Sequence, residues 1–173
     1  MSLLTRTLRH TASHLPTRNL VPRAAVQART LVTLEKNVYT AVATSTGGRN
    51  GTSRTDDGKL DIVLATPKEL GGNGAGVNPE QLFASGYSAC FLGAMGAIAR
   101  MKKVALPAST TVKAHVTIGK PVGREGFGLA VVLDVNAPGL AKEIAAEVVH
   151  AAHEFCPYSL AIKGNIEVKL NIV

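Results

Sequence analysis

The stretch Asn78-Pro79-Glu80-Gln81-Leu82-Phe83-Ala84-Ser85-Gly86-Tyr87-Ser88-Ala89-Cys90-Phe91 decides how the rest of the chain is read. Asn followed by Pro-Glu is a helix start. The Asn side chain can cap the first free N–H groups, Pro suits the first helical position, and an acid is favoured at the positive end of the helix. After Glu80 no charged residue occurs until Arg100. The pattern predicts a helix from Pro79 to about Lys102, buried on most sides and central to the fold. Cys90 lies about three turns into it.

Working outward, the upstream residues read as strands. Asn37 to Thr46 is rich in β-favouring residues (Val38, Thr40, Val42, Thr44) and stops at Gly47-Gly48. After a polar stretch from Thr52 to Asp57, Lys59 to Ala65 alternates in a second strand that Pro67 closes. Downstream, Thr110 to Lys120 and Gly128 to Asn136 alternate about a Gly123–Gly126 turn and read as a hairpin. Pro138 opens a second helix running through Glu154, with Leu140, Ile144 and Val148 on one face. Cys156-Pro157 terminates that helix, and Asn165 to Val173 forms a last strand. The order ββαββαβ predicts an α+β domain with antiparallel strands wrapped around two helices.

Residues 1–33 differ sharply in composition from this domain, which spans 34–173. They hold Arg6, Arg9, Arg18, Arg23 and Arg29, several Ser and Thr, and no acidic residue. On a helix Leu3, Leu4 and Leu8 would face away from Arg6 and Arg9. This is the composition of a mitochondrial transit peptide, and it predicts a matrix location. Setting those five arginines aside from the 19 basic residues leaves 14 against 12 acidic ones, a net charge of +2. A charge so close to zero argues against a nucleic-acid partner. No apolar run is expected to approach the roughly 18 residues of a membrane span, so no membrane partner is expected either.

Two cysteines alone cannot close a zinc site, and in a reducing compartment they are poor structural staples. They remain either redox-active or small buried hydrophobes. A helix N-terminus depresses a thiol pKa only within its first turn, so the helix cannot activate Cys90. A reactive Cys90 needs a cation. Arg49, within Gly47-Gly48-Arg49-Asn50-Gly51, is the candidate, since flanking glycines permit a tight turn that aims one long side chain inward. Two unit charges about 4 Å apart at an effective dielectric near 20 attract by roughly 4 kcal/mol before desolvation. Gly71 to Gly76 fits neither a dinucleotide fingerprint nor a P-loop, and His150 with His153 lacks further ligands, so no bound cofactor or metal is expected.

Residues 78–91, together with His153-Glu154-Phe155-Cys156-Pro157-Tyr158-Ser159 and Gly164-Asn165-Ile166, resemble the organic hydroperoxide resistance proteins, a branch of the osmotically inducible protein C superfamily. The resemblance covers nearly all of residues 38–173. Only Leu160-Ala161-Ile162-Lys163 is more apolar than it implies. The resemblance implies an intertwined homodimer with thiol peroxidase activity toward organic hydroperoxides, reduced by dihydrolipoamide or lipoylated proteins. It maps the peroxidatic thiol to Cys90, the resolving thiol to Cys156, and the polar activators to Arg49 and Glu80. Glu80 precedes Cys90 by ten residues, about 15 Å along a straight helix. Either the helix bends near Gly86, or Glu80 serves Cys90 of a second subunit. Leu82, Phe83, Tyr87, Phe91, Met95 and Phe127 could line an apolar entrance, with some of them serving as core. The competing reading is a non-catalytic redox sensor or carrier of oxidised lipids.

Overall fold

A computed structural model describes residues 31–173, and the expected transit peptide lies almost wholly outside them. Residues Leu34–Val173 form one compact unit. Its central helix α1 (Pro79–Met101) is set by the residues that predict it. The Asn78 side chain accepts a hydrogen bond from the Gln81 N–H, and the Gln81 side chain accepts one from the Asn78 N–H, both at 2.9 Å. This reciprocal box satisfies two donors that the helix cannot satisfy itself. Tyr87, Phe91, Ala94, Met95, Ile98 and Ala99 recur at helical spacing and form its buried face. Ser85, Ala89 and Gly93 lie on an exposed face of small residues.

The buried face of α1 packs on a three-stranded sheet and on α2 (Lys142–Phe155). The sheet has the order β4 (Thr111–Gly119), β5 (Gly128–Asn136), β6 (Val168–Ile172). Alternation does the sorting: Val112, Ala114 and Val116 of β4 stand opposite Val135, Leu133 and Val131 of β5, and all of them join the core. From α2 the core takes Val148, Val149 and Ala152. A short helix α3 (Pro157–Ile162) follows directly after Cys156. A second sheet, β1 (Ala43–Thr46), β2 (Thr52–Thr55) and β3 (Asp61–Val63), is antiparallel throughout. Among the described residues, none from β1–β3 belongs to the core cluster.

Five expectations are revised. The strand foreseen over 37–46 shrinks to β1, because its partner β2 is only four residues long and Thr55 opposite Ala43 ends the pairing. β2 itself escapes a hydrophobic-pattern reading, since Thr52-Ser53-Arg54-Thr55 has one buried position. The strands are not all antiparallel: β6 pairs parallel to β5, because α2 and α3 carry the chain back across the sheet between them. There are three helices rather than two. Pro157 both stops α2 and starts α3, and α2 begins after a turn at Gly139 (φ 86°). Finally, α1 is long and apolar enough by length and composition to cross a membrane, against the expectation that no such run exists. Its packing on β4 and α2 is that of a core helix.

Candidate active site

The two cysteines meet where α1 and α3 cross. Cys156 ends α2, caps α3 and is fully buried, while Cys90 is partly exposed on α1. Both are free thiols, and the Cys156 thiol points at the Cys90 sulfur over 3.4 Å. A disulfide is about 2 Å long, so closing one asks for little movement. Burial pushes the Cys90 thiol up from its ordinary pKa, the Tyr158 backbone N–H draws it down, and Cys156 raises it further. Among the described residues no cation contributes to that balance.

Arg49 and Glu80 form a second pair. A single helical turn at Gly48–Asn50, entered through Gly47 at φ 67°, presents the Arg49 side chain. The turn is anchored because the Asn50 side-chain oxygen accepts the Thr66 N–H at 2.9 Å. The guanidinium then donates two bonds to Glu80, Nη1 to Oε2 at 2.8 Å and Nη2 to Oε1 at 2.6 Å. This planar fork geometry is the strong form of an ion pair. The bonds to Arg49 hold the Glu80 carboxyl below the usual carboxylate range, against the upward push of burial. Reciprocally, Glu80 raises Arg49.

The four residues mapped from the resemblance therefore come together as two pairs. α1 runs unbroken through Gly86, so Glu80 and Cys90 stay on separate turns about 15 Å apart. The bend that would have joined them within one chain is absent from the helix. Arg49 does not stand beside Cys90 within one chain, and the expected cation is spent on Glu80.

The residues expected at the entrance fall in different settings. Tyr87, Phe91 and Met95 are wholly buried and belong to the core, because they sit on the α1 face turned to the sheet and α2. Phe83 is partly buried against that core and Leu82 is half-buried. Phe127 is 62% exposed next to the β4–β5 turn. An open groove beside Glu80, about 500 Å³, is lined by Pro67, Leu70, Ala84, Val116 and Ile118 with Asn78 and Gln81. Residues outside the expected set surround the thiols. Tyr158 stacks on Phe83 at 6.0 Å, and Tyr87 Oη shares a 2.9 Å hydrogen bond with Ser159 Oγ. Tyr158 and Ser159 lie in the quoted motif, but no spacing rule marks them as neighbours of Cys90. The Nδ1 atom of His153 is buried with no hydrogen-bond partner among the described residues, and burial pushes that imidazole's pKa down.

Known proteins resemble the chain over this whole unit. The family of OsmC-like proteins matches residues 71–171. An organic hydroperoxide resistance protein of Xanthomonas axonopodis pv. citri is 50% identical over 139 residues, 80% of this chain and 96% of that protein. Organic hydroperoxide resistance protein OhrB of Bacillus subtilis is 42% identical over 135 residues, 78% of this chain and 98% of that protein. Its crystal structure matches with a TM-score of 0.73, covering 79% of this chain and all of that one (100%). The structure of an organic hydroperoxide resistance protein from Legionella pneumophila matches with a TM-score of 0.75 and 44% identity, covering 79% and 98%. These relatives, like those from Acinetobacter and Staphylococcus, are bacterial, which overturns the expected mitochondrial matrix location. A basic, acid-poor opening is a compositional signal shared by many extensions, and it does not specify an organelle.

Proposed function

Because the chain belongs to the OsmC-like family, beside proteins named for organic hydroperoxide resistance, we propose that it acts in peroxide defence as a thiol peroxidase for organic hydroperoxides. The observation that carries this reading is the apposition of two free thiols, 3.4 Å apart, one buried and one reachable. In the proposed reaction the Cys90 thiolate attacks the outer peroxide oxygen. An S–O bond forms, the O–O bond breaks, and the alkoxide leaves as alcohol after taking a proton. Cys90 becomes a sulfenic acid. Cys156 then displaces its hydroxyl as water, forming the disulfide. A dithiol of the dihydrolipoamide class, free or carried on a lipoylated protein, reduces the pair by exchange and ends as a cyclic disulfide.

The thiolate needs a cation, and among the described residues the single chain brings none to it. We assign that role to the partner subunit's Arg49, held by the partner subunit's Glu80, in a homodimer. Three features support a second copy: the β1–β3 sheet contributes nothing to the core of its own chain, α1 leaves the small-residue face of Ser85, Ala89 and Gly93 uncovered, and β4 is a free edge. Small residues let helices approach closely, and unpaired strand edges seek partners.

The test mixes reduced protein with cumene hydroperoxide and counts free thiols. Loss of both thiols, restored with turnover by dihydrolipoamide, is the expected result. Cys156→Ser should still consume one equivalent of peroxide. Thiols that survive the peroxide would favour a sensor or lipid carrier and sink the peroxidase.

A further inference from the structure

Cys156 sits at the joint between α2, to whose Ala152 carbonyl its N–H donates at 2.8 Å, and α3, a helix of six residues whose N-cap side chain makes no capping bond. A segment that short has no stability of its own. It is held from α1. Tyr87 and Ser159, 72 positions apart in sequence, share a 2.9 Å hydroxyl–hydroxyl bond, with Tyr87 at 0% and Ser159 at 1% exposure. The Tyr158 ring lies against Tyr87 at 5.9 Å and over Gly86, where a Cβ would come within 3.1 Å of its hydroxyl oxygen. The Tyr87–Ser159 bond and the contact of Tyr158 with Gly86 thus lie within four residues of Cys90 on α1 and three of Cys156 on α3.

We propose that Tyr87 and Ser159 are positioning residues for the resolving step: their buried hydrogen bond holds α3 on α1, so that Cys156 stays in reach of the oxidised Cys90. This rests on the peroxidase reading given above. In the step itself the Cys156 sulfur bonds to the Cys90 sulfur, the S–O bond of the sulfenic acid breaks, and the Cys156 proton leaves with the hydroxyl as water. No further oxidant is needed. Timing makes the position matter, because a sulfenic acid left waiting is carried by a second peroxide to sulfinic acid, beyond reach of simple thiols.

Positioning can be separated from plain stability. Removing one hydroxyl strands its partner in the core, whereas removing both together is nearly neutral for stability. The experiment uses the full chain as Tyr87→Phe, Ser159→Ala and the double variant. Rapid-quench alkylation and intact mass follow sulfenic acid, disulfide and sulfinic acid after cumene hydroperoxide. In both single variants, disulfide closure should fall about tenfold relative to sulfenic acid formation, the size of one lost buried hydrogen bond, with sulfinic acid accumulating. The double variant should regain the wild-type melting temperature while closing slowly. A second arm, equilibration in glutathione without peroxide, should shift the Cys90–Cys156 disulfide toward the dithiol by a similar factor. Closure and glutathione equilibrium within twofold of wild type in both single variants would overturn the proposal. Recovery of closure along with stability in the double variant would do the same. If wild-type protein ignores peroxide while the glutathione arm shifts as expected, the peroxidase reading falls and the hold on Cys156 stands.

Discussion

Glu80 shows how much one residue's chemistry depends on its neighbour. As a first-turn acid it would only favour the helix dipole; joined to Arg49 through two short bonds, it fixes the orientation of that guanidinium. Because the folded carboxyl titrates below its ordinary value, its contribution is present above the unfolded pKa of about 4.3 and is lost as pH falls through the lower folded value. Denaturant unfolding across pH 3 to 7 (roughly the span of carboxylate titration) should therefore show an acid-side loss of stability that is smaller in Glu80→Gln. Gly86 is the second case. Alanine there gains up to about 1 kcal/mol of helix propensity but must displace the Tyr158 ring lying 3.1–3.2 Å from its Cβ. Gly86→Ala should leave the melting temperature close to wild type and slow the approach of Cys156 to Cys90, read as disulfide formation on mild oxidation.

The elements differ in how far the sequence disclosed them. α1, β4 and β5 were legible within two residues because their signals are local: a capping box, and alternation with one face buried. α2 was found, with its face right at one position of three. Val148 is buried as expected, but Ile144 is exposed, Ala145, Val149 and Ala152 complete the buried face, and Leu140 lies before the helix start at Lys142. β2 and α3 were not legible, since the first is polar on both faces and the second is too short for a period. The site followed the same rule. Arg49, Glu80, Cys90 and Cys156 were nameable from the sequence, but their division into two pairs and the hydroxyl bond to α3 depend on contacts between distant segments. At this scale Asn78→Ala should cost about 1 kcal/mol in chemical denaturation by removing one half of the capping box. Its larger effect should be on peroxide turnover, because the turn that frays carries Glu80.

For the whole molecule, the division into pairs has a direct test. Arg49→Ala and Cys90→Ser should each be inactive, yet mixing them under subunit exchange should restore activity if one chain supplies the thiols and the other the cation. Random pairing makes half the dimers hybrid with one complete site each, so about a quarter of wild-type turnover should return. No recovery on mixing would confine each site to a single chain. The uncovered face of α1 also bears on how activity scales with abundance. On the dimeric site proposed above, a thiol whose burial raises its pKa receives its activating charge only from a second copy, so a lone chain should react more slowly. Diluted below its dimer dissociation constant, the protein should lose rate in proportion to the square of its concentration, so that its peroxide chemistry switches on as the chain accumulates.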